Sequence, residues 1–405
     1  MDNYLVVADD FTGANDTGLE IRRRGIPVRV VFAGADVTGG ESCVLDTESR
    51  PLPEEEAFKR VLSEAGKIPF GNFRHVIKKV DSTLRGNIGA ETRALSLCCK
   101  PELIVFAPAF PDLGRTTVRR IHHINGTPVS LSELARDPKT PVINDDILKI
   151  MAAAFPGEKV IHIDPGQDRG AIDLDAARVF SFDAIINEDL RAVAKTVLAQ
   201  KKRVLWVGSA ALANFILEAE LPSPPALAVA ASLSSVTRAQ VLFAERQGVP
   251  LVRAPLYAIL EKAVSPEELA DRAVRVLKDG RDLILLSSSV YSEEERTRTG
   301  ESARAVGLSP GEMGAFAQKT MGRITALVLE EAAVSGLFLT GGDTALGCLE
   351  SMGATGSGIV TEAAAGMPLM KLTGGKYDGL KVVTKAGAFG GEDAIFYSLR
   401  KLREA

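Results

Sequence analysis

The chain has 405 residues, 46% of them hydrophobic, and a formal net charge of −4. That length exceeds one typical domain and supplies apolar material for two cores, whereas the mildly acidic balance lacks the basic excess that nucleic-acid or membrane-surface binding needs. Four cysteines without C-x-x-C or Cys/His ligand spacing, no basic stretch at Met1-Asp2-Asn3-Tyr4 and no apolar run of roughly 18 residues predict a cytoplasmic protein with no metal-ligand set, signal peptide or membrane span.

Tyr4 to Ala8 reads as a buried strand running into Asp9-Asp10-Phe11-Thr12-Gly13-Ala14-Asn15-Asp16-Thr17-Gly18. Carboxylates this close repel unless a cation or several hydroxyl donors offset them, and a hydroxyl-rich substrate or Mg2+ would do so. Thr12, Asn15 or one of the acids can equally cap the helix that continues through Arg22. Asp9, nearest the strand end, is the residue expected to face a ligand. Strands follow at Val28 to Phe32 and Cys43 to Asp46, the second delivering Arg50 just beyond its end. Pro53 to Ala65 is an amphipathic helix begun by acids, as the helix dipole favours.

The densest polar segment is Lys78-Lys79-Val80-Asp81-Ser82-Thr83-Leu84-Arg85-Gly86-Asn87. Apolar His75-Val76-Ile77 before it and helix-forming Ala90 to Leu95 after it place it on a strand-to-helix turn, where open α/β sheets bind ligands. Lys79 and Arg85 supply positive charge for a carboxylate or phosphate, and Asp81 and Ser82 can take up sugar hydroxyls. Together they suit a small polyhydroxy acid. The competing reading is a solvated loop whose Asp, Ser and Thr cap a helix.

Leu103 to Ala107 is a further strand, followed by an ordered loop from Pro108 to Thr117 that carries Arg115. A helix opens at Ile147 after Asp145-Asp146. Strands at Val160 to Ile163, Ala184 to Ile186 and Val204 to Val207 alternate with helices at Asp189 to Gln200 and Ser209 to Glu220. The alternation predicts an α/β fold with mostly parallel sheets covered on both faces. The four histidines, His122-His123 among them, read as structural.

Prolines in Leu221-Pro222-Ser223-Pro224-Pro225 mark a domain boundary between 1–221 and 227–405. Beyond it, the strand Ala226 to Ala231 enters Ser232-Leu233-Ser234, a helix start able to hold phosphate or simply to be capped by serine. Gly336 to Thr340 delivers Gly341-Gly342-Asp343-Thr344, and Lys381 to Lys385 delivers Ala386-Gly387-Ala388-Phe389-Gly390. Either glycine loop alone is more often a tight turn; with the serine turn they converge on a nucleotide. No G-x-x-x-x-G-K-[S/T] occurs, and no G-x-G-x-x-G follows the first strand, which removes P-loop and dinucleotide-fingerprint readings.

Taken in order, Ala8-Asp9-Asp10-Phe11-Thr12-Gly13, the Lys78 to Asn87 segment, Gly114-Arg115-Thr116-Thr117, Gly341-Gly342-Asp343-Thr344 and Lys385-Ala386-Gly387-Ala388-Phe389-Gly390 resemble the four-carbon acid sugar kinase family nearly end to end. The resemblance implies two three-layer α/β/α domains with an interdomain active-site crevice. The first domain would hold the sugar acid and the second ATP, with phosphate passing to the terminal 4-hydroxyl. Carried onto matching positions, Asp9, Arg50, Lys79, Asp81 and Ser82 would contact the acid. Ser232 or Ser234, Gly341, Gly342, Asp343, Thr344 and Gly387 would contact the nucleotide.

One departure is that the family usually shows Ser-Gly-Ser-x-Ser where this chain has Ala230-Ala231-Ser232-Leu233-Ser234. The Asn15-Asp16-Thr17-Gly18 stretch resembles the branch acting on D-threonate, with D-erythronate, 3-oxo-tetronates and branched 3-oxo acids left open. For transfer, Mg2+ and the glycine loops would hold the triphosphate and Arg50, Lys79 and Arg85 would surround the acid with positive charge. Asp81 or Asp343 would orient or deprotonate the attacking hydroxyl. A nucleotide-regulated sugar-acid sensor and a metal-assisted lyase or hydrolase are the competing functions, and neither accounts for two separate phosphate-type loops. Oligomeric state is open, a homo-oligomer included.

Overall fold

Short apolar runs, each ending abruptly in polar residues, build two separate sheets. A computed structural model describes residues 3–165 and 172–404. The chain divides after Pro222 into two units, the second spanning Ser223–Glu404.

The first unit carries β1 (Tyr4–Ala8), β2 (Val28–Phe32), β3 (Ser42–Asp46), β4 (His75–Lys79) and β5 (Leu103–Ala107). A small antiparallel ribbon follows, β6 (Arg115–Val118), β7 (Ile121–Ile124) and β8 (Thr127–Pro128), and then β9 (Val160–Ile163), β10 (Val179–Phe182) and β11 (Val204–Gly208). The main sheet has the order β2-β3-β1-β4-β11-β5-β10-β9, and each of these pairings is parallel.

Both faces of that sheet are covered, which is why β1 and β5 are apolar at every position rather than alternating. Tyr4, Val6 and Ala8 pack with helices Phe11–Arg23, Asn187–Leu198 and Ala210–Glu220 on one face. Leu5 and Val7 pack with helices Glu54–Ala65, Ile88–Cys99 and Ile147–Ala154 on the other. Ala8 pairs with Asp46 on one side and Lys79 on the other, so three neighbouring strands leave the sheet at one level.

Two expectations are corrected here. Ala184 to Ile186 is not a strand; the strand is Val179–Phe182, and Ala184 makes only an isolated bridge to Thr117. The Asp189 carboxylate accepts from the Ile185 and Ile186 N–H groups at 2.8 and 3.1 Å, claiming donors a ladder would have used. The segment predicted as loop up to Thr117 turns at Gly114, with φ +68°, and enters β6. Of the cap candidates of the first helix it is an acid, Asp10, that accepts from Gly13 N–H, at 3.0 Å, rather than Thr12 or Asn15.

The second unit carries β12 (Ala226–Ala230), β13 (Leu251–Ala254), β14 (Leu283–Ser287), β15 (Gly336–Thr340), β16 (Gly356–Ala364), β17 (Met367–Thr373) and β18 (Lys381–Lys385) in the order β13-β14-β12-β15-β18-β17-β16. The pairings from β13 to β18 are parallel, and β17 and β16 add an antiparallel hairpin. Leu227 and Val229 face helices Pro266–Lys278, Pro310–Glu331 and Gly342–Ser351, while Ala226, Ala228 and Ala230 face helices Ser235–Arg246 and Ala394–Leu402. Each unit is therefore a three-layer sandwich of helices around a mostly parallel sheet. No helix among the described residues is long and apolar enough to cross a membrane.

Candidate functional site

In the first unit, the ends of β3, β1 and β4 bring Arg50, Asp9, Asp10, Lys79 and Asp81 together. Arg50 grips two carboxylates at once: its Nε and Nη2 donate to Asp9 at 2.7 and 3.1 Å, and its Nη1 and Nη2 donate to Asp10 at 2.7 Å each. The repulsion expected between these acids is thus relieved by Arg50. Asp81 lies 4.0 Å from the same guanidinium and takes two further donations from Arg85, at 2.8 and 3.2 Å, with the Thr83 hydroxyl also donating to it. Three carboxylates stand against Arg50, Arg85 and Lys79, a neutral lattice.

Local backbone conformation makes this possible. Leu84 at φ +65° and Gly86 at φ +91° double the chain back so that Arg85 meets Asp81. A Cβ on Gly86 would lie 3.1 Å from Arg50 Cγ and 3.3 Å from Asp9 Oδ2, so glycine permits the close approach. Likewise, a Cβ on Gly13 would come within 2.6 Å of both Asp10 Oδ1 and Lys79 Nζ.

Lys79 is buried and donates to the Val80 carbonyl at 2.9 Å. Burial pushes its ammonium pKa down against the pull of Asp9, Asp10 and Asp81. For Asp81, burial alone would raise the pKa, but the Arg85 hydrogen bonds and the Arg50 charge hold it well below the usual carboxylate range. Ser82 is placed by His122, whose Nε2 donates to the Ser82 carbonyl at 2.8 Å while Nδ1 meets the Thr117 hydroxyl at 2.9 Å. Burial pushes the His122 pKa down to about 4, so the ring is neutral in this role. Beneath the loop, Lys78 is fully buried, pairs with Glu91 at 2.7 Å and donates to the Lys79 carbonyl at 2.7 Å.

The second unit repeats the arrangement with different chemistry. Ala230, Thr340 and Lys385 are in register on β12, β15 and β18, so the Ser232, Gly341 and Gly387 loops leave adjacent strand ends. Ser234 caps helix Ser235–Arg246 through Val236 N–H at 3.2 Å, and Gly341, at φ +97°, begins the helix holding Gly342, exposed Asp343 and buried Thr344. A Cβ on Gly387 would meet Ser232 Oγ at 2.1 Å, and one on Gly341 would lie 3.6 Å from Ser232 Cβ. The serine turn and both glycine loops thus form one cradle, and the alanine at 231 leaves Ser232 inside it.

Sequence reasoning missed what supports this cradle. Lys385, 3% exposed, donates to the Gly387 and Ala386 carbonyls at 3.0 and 3.1 Å, and burial lowers its pKa to about 8. Thr237 donates to the Gly387 carbonyl at 2.9 Å, and Gln240 Nε2 donates to three carbonyls of the loop Phe389 to Gly391 at 2.8 to 3.2 Å. Lys385 could have been found as a cation closing a strand ahead of a glycine loop. Gln240 has no such signal, because it sits mid-helix. Arg115 instead turns its guanidinium back onto the Leu113 carbonyl.

Comparison with known proteins divides the chain as the two sites do. Residues 4–216 match the model of a sugar-binding N-terminal domain and residues 227–395 that of a nucleotide-binding C-terminal domain. The chain belongs to the four-carbon acid sugar kinase family. Among its relatives, a D-threonate kinase of Salmonella typhimurium is 33% identical, with 97% of each chain covered. A D-threonate kinase of Bordetella bronchiseptica is 31% identical over 98% of this chain and 97% of that one. A D-erythronate kinase of Heliobacterium modesticaldum is 28% identical over 99% and 98%. A crystal structure from Bordetella bronchiseptica, a domain-swapped dimer with bound citrate, shares the fold with a TM-score of 0.60 at 27% identity, covering 99% of this chain and 98% of that one. These relatives are named as kinases of sugar acids, and this chain is a sugar-acid kinase.

Proposed function

We propose that this protein transfers the γ-phosphoryl group of ATP to the 4-hydroxyl of a four-carbon sugar acid, D-threonate first among them. The observation that carries this reading is the pair of contrasting strand-end clusters. One is a neutral lattice of carboxylates and guanidinium groups that can exchange hydrogen bonds with a polyhydroxy acid; the other is a cradle of backbone, hydroxyls and a buried lysine fit for phosphate. The D-threonate kinases at 33% and 31% identity favour D-threonate over D-erythronate and the 3-oxo acids. The citrate held by the Bordetella bronchiseptica protein is in keeping with an acid ligand, and its swapped dimer with a homo-oligomer.

In this reading Asp9, Asp10 and Asp81 accept hydroxyl hydrogens of the acid, and Ser82 and Lys79 add donors. Arg85, with 32% of its side chain exposed, takes the substrate carboxylate. Ser232, Ser234, Gly341, Gly342, Thr344 and Gly387 hold the nucleotide phosphates, with Lys385 as their counter-charge. Mg2+, for which Asp343 is the carboxylate beside the cradle, would neutralise charge on the transferring phosphoryl group. Asp81, held well below the usual carboxylate range, is a poor proton acceptor at neutral pH, so it orients the attacking hydroxyl.

The test is ADP release from purified protein with Mg-ATP and a panel of D-threonate, D-erythronate, L-threonate, their 3-oxo acids and D-glycerate. Turnover with D-threonate above the others supports the full reading, and another four-carbon acid in first place moves the substrate but keeps the kinase. Silence across the panel from folded, ATP-binding protein would leave a sensor and overturn the transfer.

A further inference from the structure

We propose that His162, Asp164 and Asp183 form a binding site for one divalent cation of the Zn2+ class, apart from the sugar-acid cluster. His162 lies on β9, Asp164 one residue beyond it, and Asp183 directly after β10, so the three meet where two neighbouring parallel strands end. The sheet order places β11, β5 and β10 between β4, which bears Lys79, and the edge strand β9.

The donor geometry is that of ligands around a missing centre. His162 Nε2 stands 3.3 Å from Asp183 Oδ1 and 3.6 Å from Asp164 Oδ1, and one ligand atom from each residue lies within 4.8 Å of the others. Those separations are long or poorly directed for hydrogen bonds. Donors sharing a dication through bonds near 2.1 Å in tetrahedral geometry stand roughly 3.4 Å apart.

Two atoms aimed into this space are buried and orphaned. Among the described residues, neither His162 Nε2 nor Asp183 Oδ2 has a hydrogen-bond partner, although the His162 side chain is 9% exposed and that of Asp183 is 1% exposed. Leaving buried polar atoms unsatisfied costs free energy, which a bound cation would recover. The surroundings fix both donors. His162 Nδ1 lies 3.0 Å from the Ser181 hydroxyl, which orients the ring and can accept from Nδ1–H in the tautomer that leaves the Nε2 lone pair outward. Asp183 is pinned by its own N–H to the Ile163 carbonyl at 3.0 Å and by Arg120 N–H to Oδ1 at 3.0 Å.

Two carboxylates and a neutral imidazole carry two negative charges, matching a dication. An imidazole in the set favours Zn2+ and its transition-metal neighbours over Mg2+ or Ca2+, which take oxygen donors. Bound there, the ion would staple edge strand β9 to β10 and take no part in phosphoryl transfer.

The whole chain is stripped with chelator, dialysed against Zn2+, freed of excess and assayed for metal content, with Co2+ substituted for its visible absorption. One equivalent per chain is expected. His162→Ala and Asp183→Asn should abolish it, and Asp164→Asn, at a side chain 59% exposed and safe for folding, should weaken it about tenfold or more. Zn2+ should raise the thermal midpoint of the wild type but not of His162→Ala. Absence of stoichiometric Zn2+ from the wild type would overturn the site. Retention of the metal by Asp164→Asn and His162→Ala at unchanged affinity, or its loss in Asp10→Asn, would overturn it equally.

Discussion

At the ends of β1, β3 and β4, three carboxylates are matched by Arg50, Arg85 and Lys79, so charge is balanced side chain by side chain. At the ends of β12, β15 and β18, Lys385 stands among carbonyls, with no carboxylate in ion-pair reach among the described residues, and burial alone lowers its pKa. The difference suits their guests. A polyhydroxy acid with a single carboxylate needs donors and acceptors in mixed order and can replace existing pairings one for one. A polyanion needs a cation that no protein group has already neutralised.

The hardest blow to the balanced cluster is loss of its hub. Arg50→Met leaves buried Asp9 and half-buried Asp10 facing each other, which should cost about 3–5 kcal/mol in urea unfolding and abolish turnover. Arg50→Lys should recover little of either, because an ammonium cannot serve two carboxylates bidentately.

Acid should find the same cluster next. His122 titrates at about 4 when folded against an ordinary value near 6.5, so it favours folding above pH 6.5 and loses that contribution as pH falls through about 4, on the order of 3 kcal/mol in all. Urea midpoints across pH 4 to 7 should decline more gently in His122→Asn than in wild type. Comparison within that pair matters because Asp46, pushed up to about 6 by burial, disfavours the fold in the opposite sense, increasingly as pH rises through 6.

The unpaired cation should fail in alkali instead. Phosphate binding needs charged Lys385, so ATP affinity should be constant below pH 8 and fall above it, as the ammonium of the free protein loses its proton. Lys385→Met should weaken ATP by roughly 1.5–3 kcal/mol at neutral pH and erase the alkaline decline, measured by calorimetric titration. If the decline persists in the variant, the lysine is not the counter-charge.

A smaller effect comes from filling the cradle. Gly387→Val sets a side chain against Ser232, which should cost ATP binding about 1–2 kcal/mol while unfolding changes little. Equal losses in folding and binding would mean the loop is structural only.

Strand ends were legible because strand-forming runs such as Tyr4 to Ala8 and Lys381 to Lys385 stop sharply at charged or glycine-rich residues. That located Asp9, Arg50, Lys79 and Gly387 from one dimension. It could not reveal that Arg50 binds both Asp9 and Asp10, because their meeting depends on the register of β1 with β3. The strand Val179–Phe182 escaped notice because Ser181 interrupts a run of four, and the apolar Ala184 to Ile186 just after it looked more strand-like. Gln240 and the pairing of His162 with Asp183 depend on tertiary neighbours with no local spacing to betray them.

The buried Lys78–Glu91 pair has a further consequence, for motion. Lys78 ties the end of β4 to helix Ile88–Cys99 and holds the Lys79 carbonyl, while Asn87 donates to the Ser49 and Leu52 carbonyls at 3.2 and 2.8 Å. Both ends of the segment between them are therefore clamped to separate elements. Such a loop cannot swing as a lid, so its amides, Leu84 included, should exchange with deuterium at rates typical of core strands, and an arriving acid must be met by side chains changing partners on a stationary backbone.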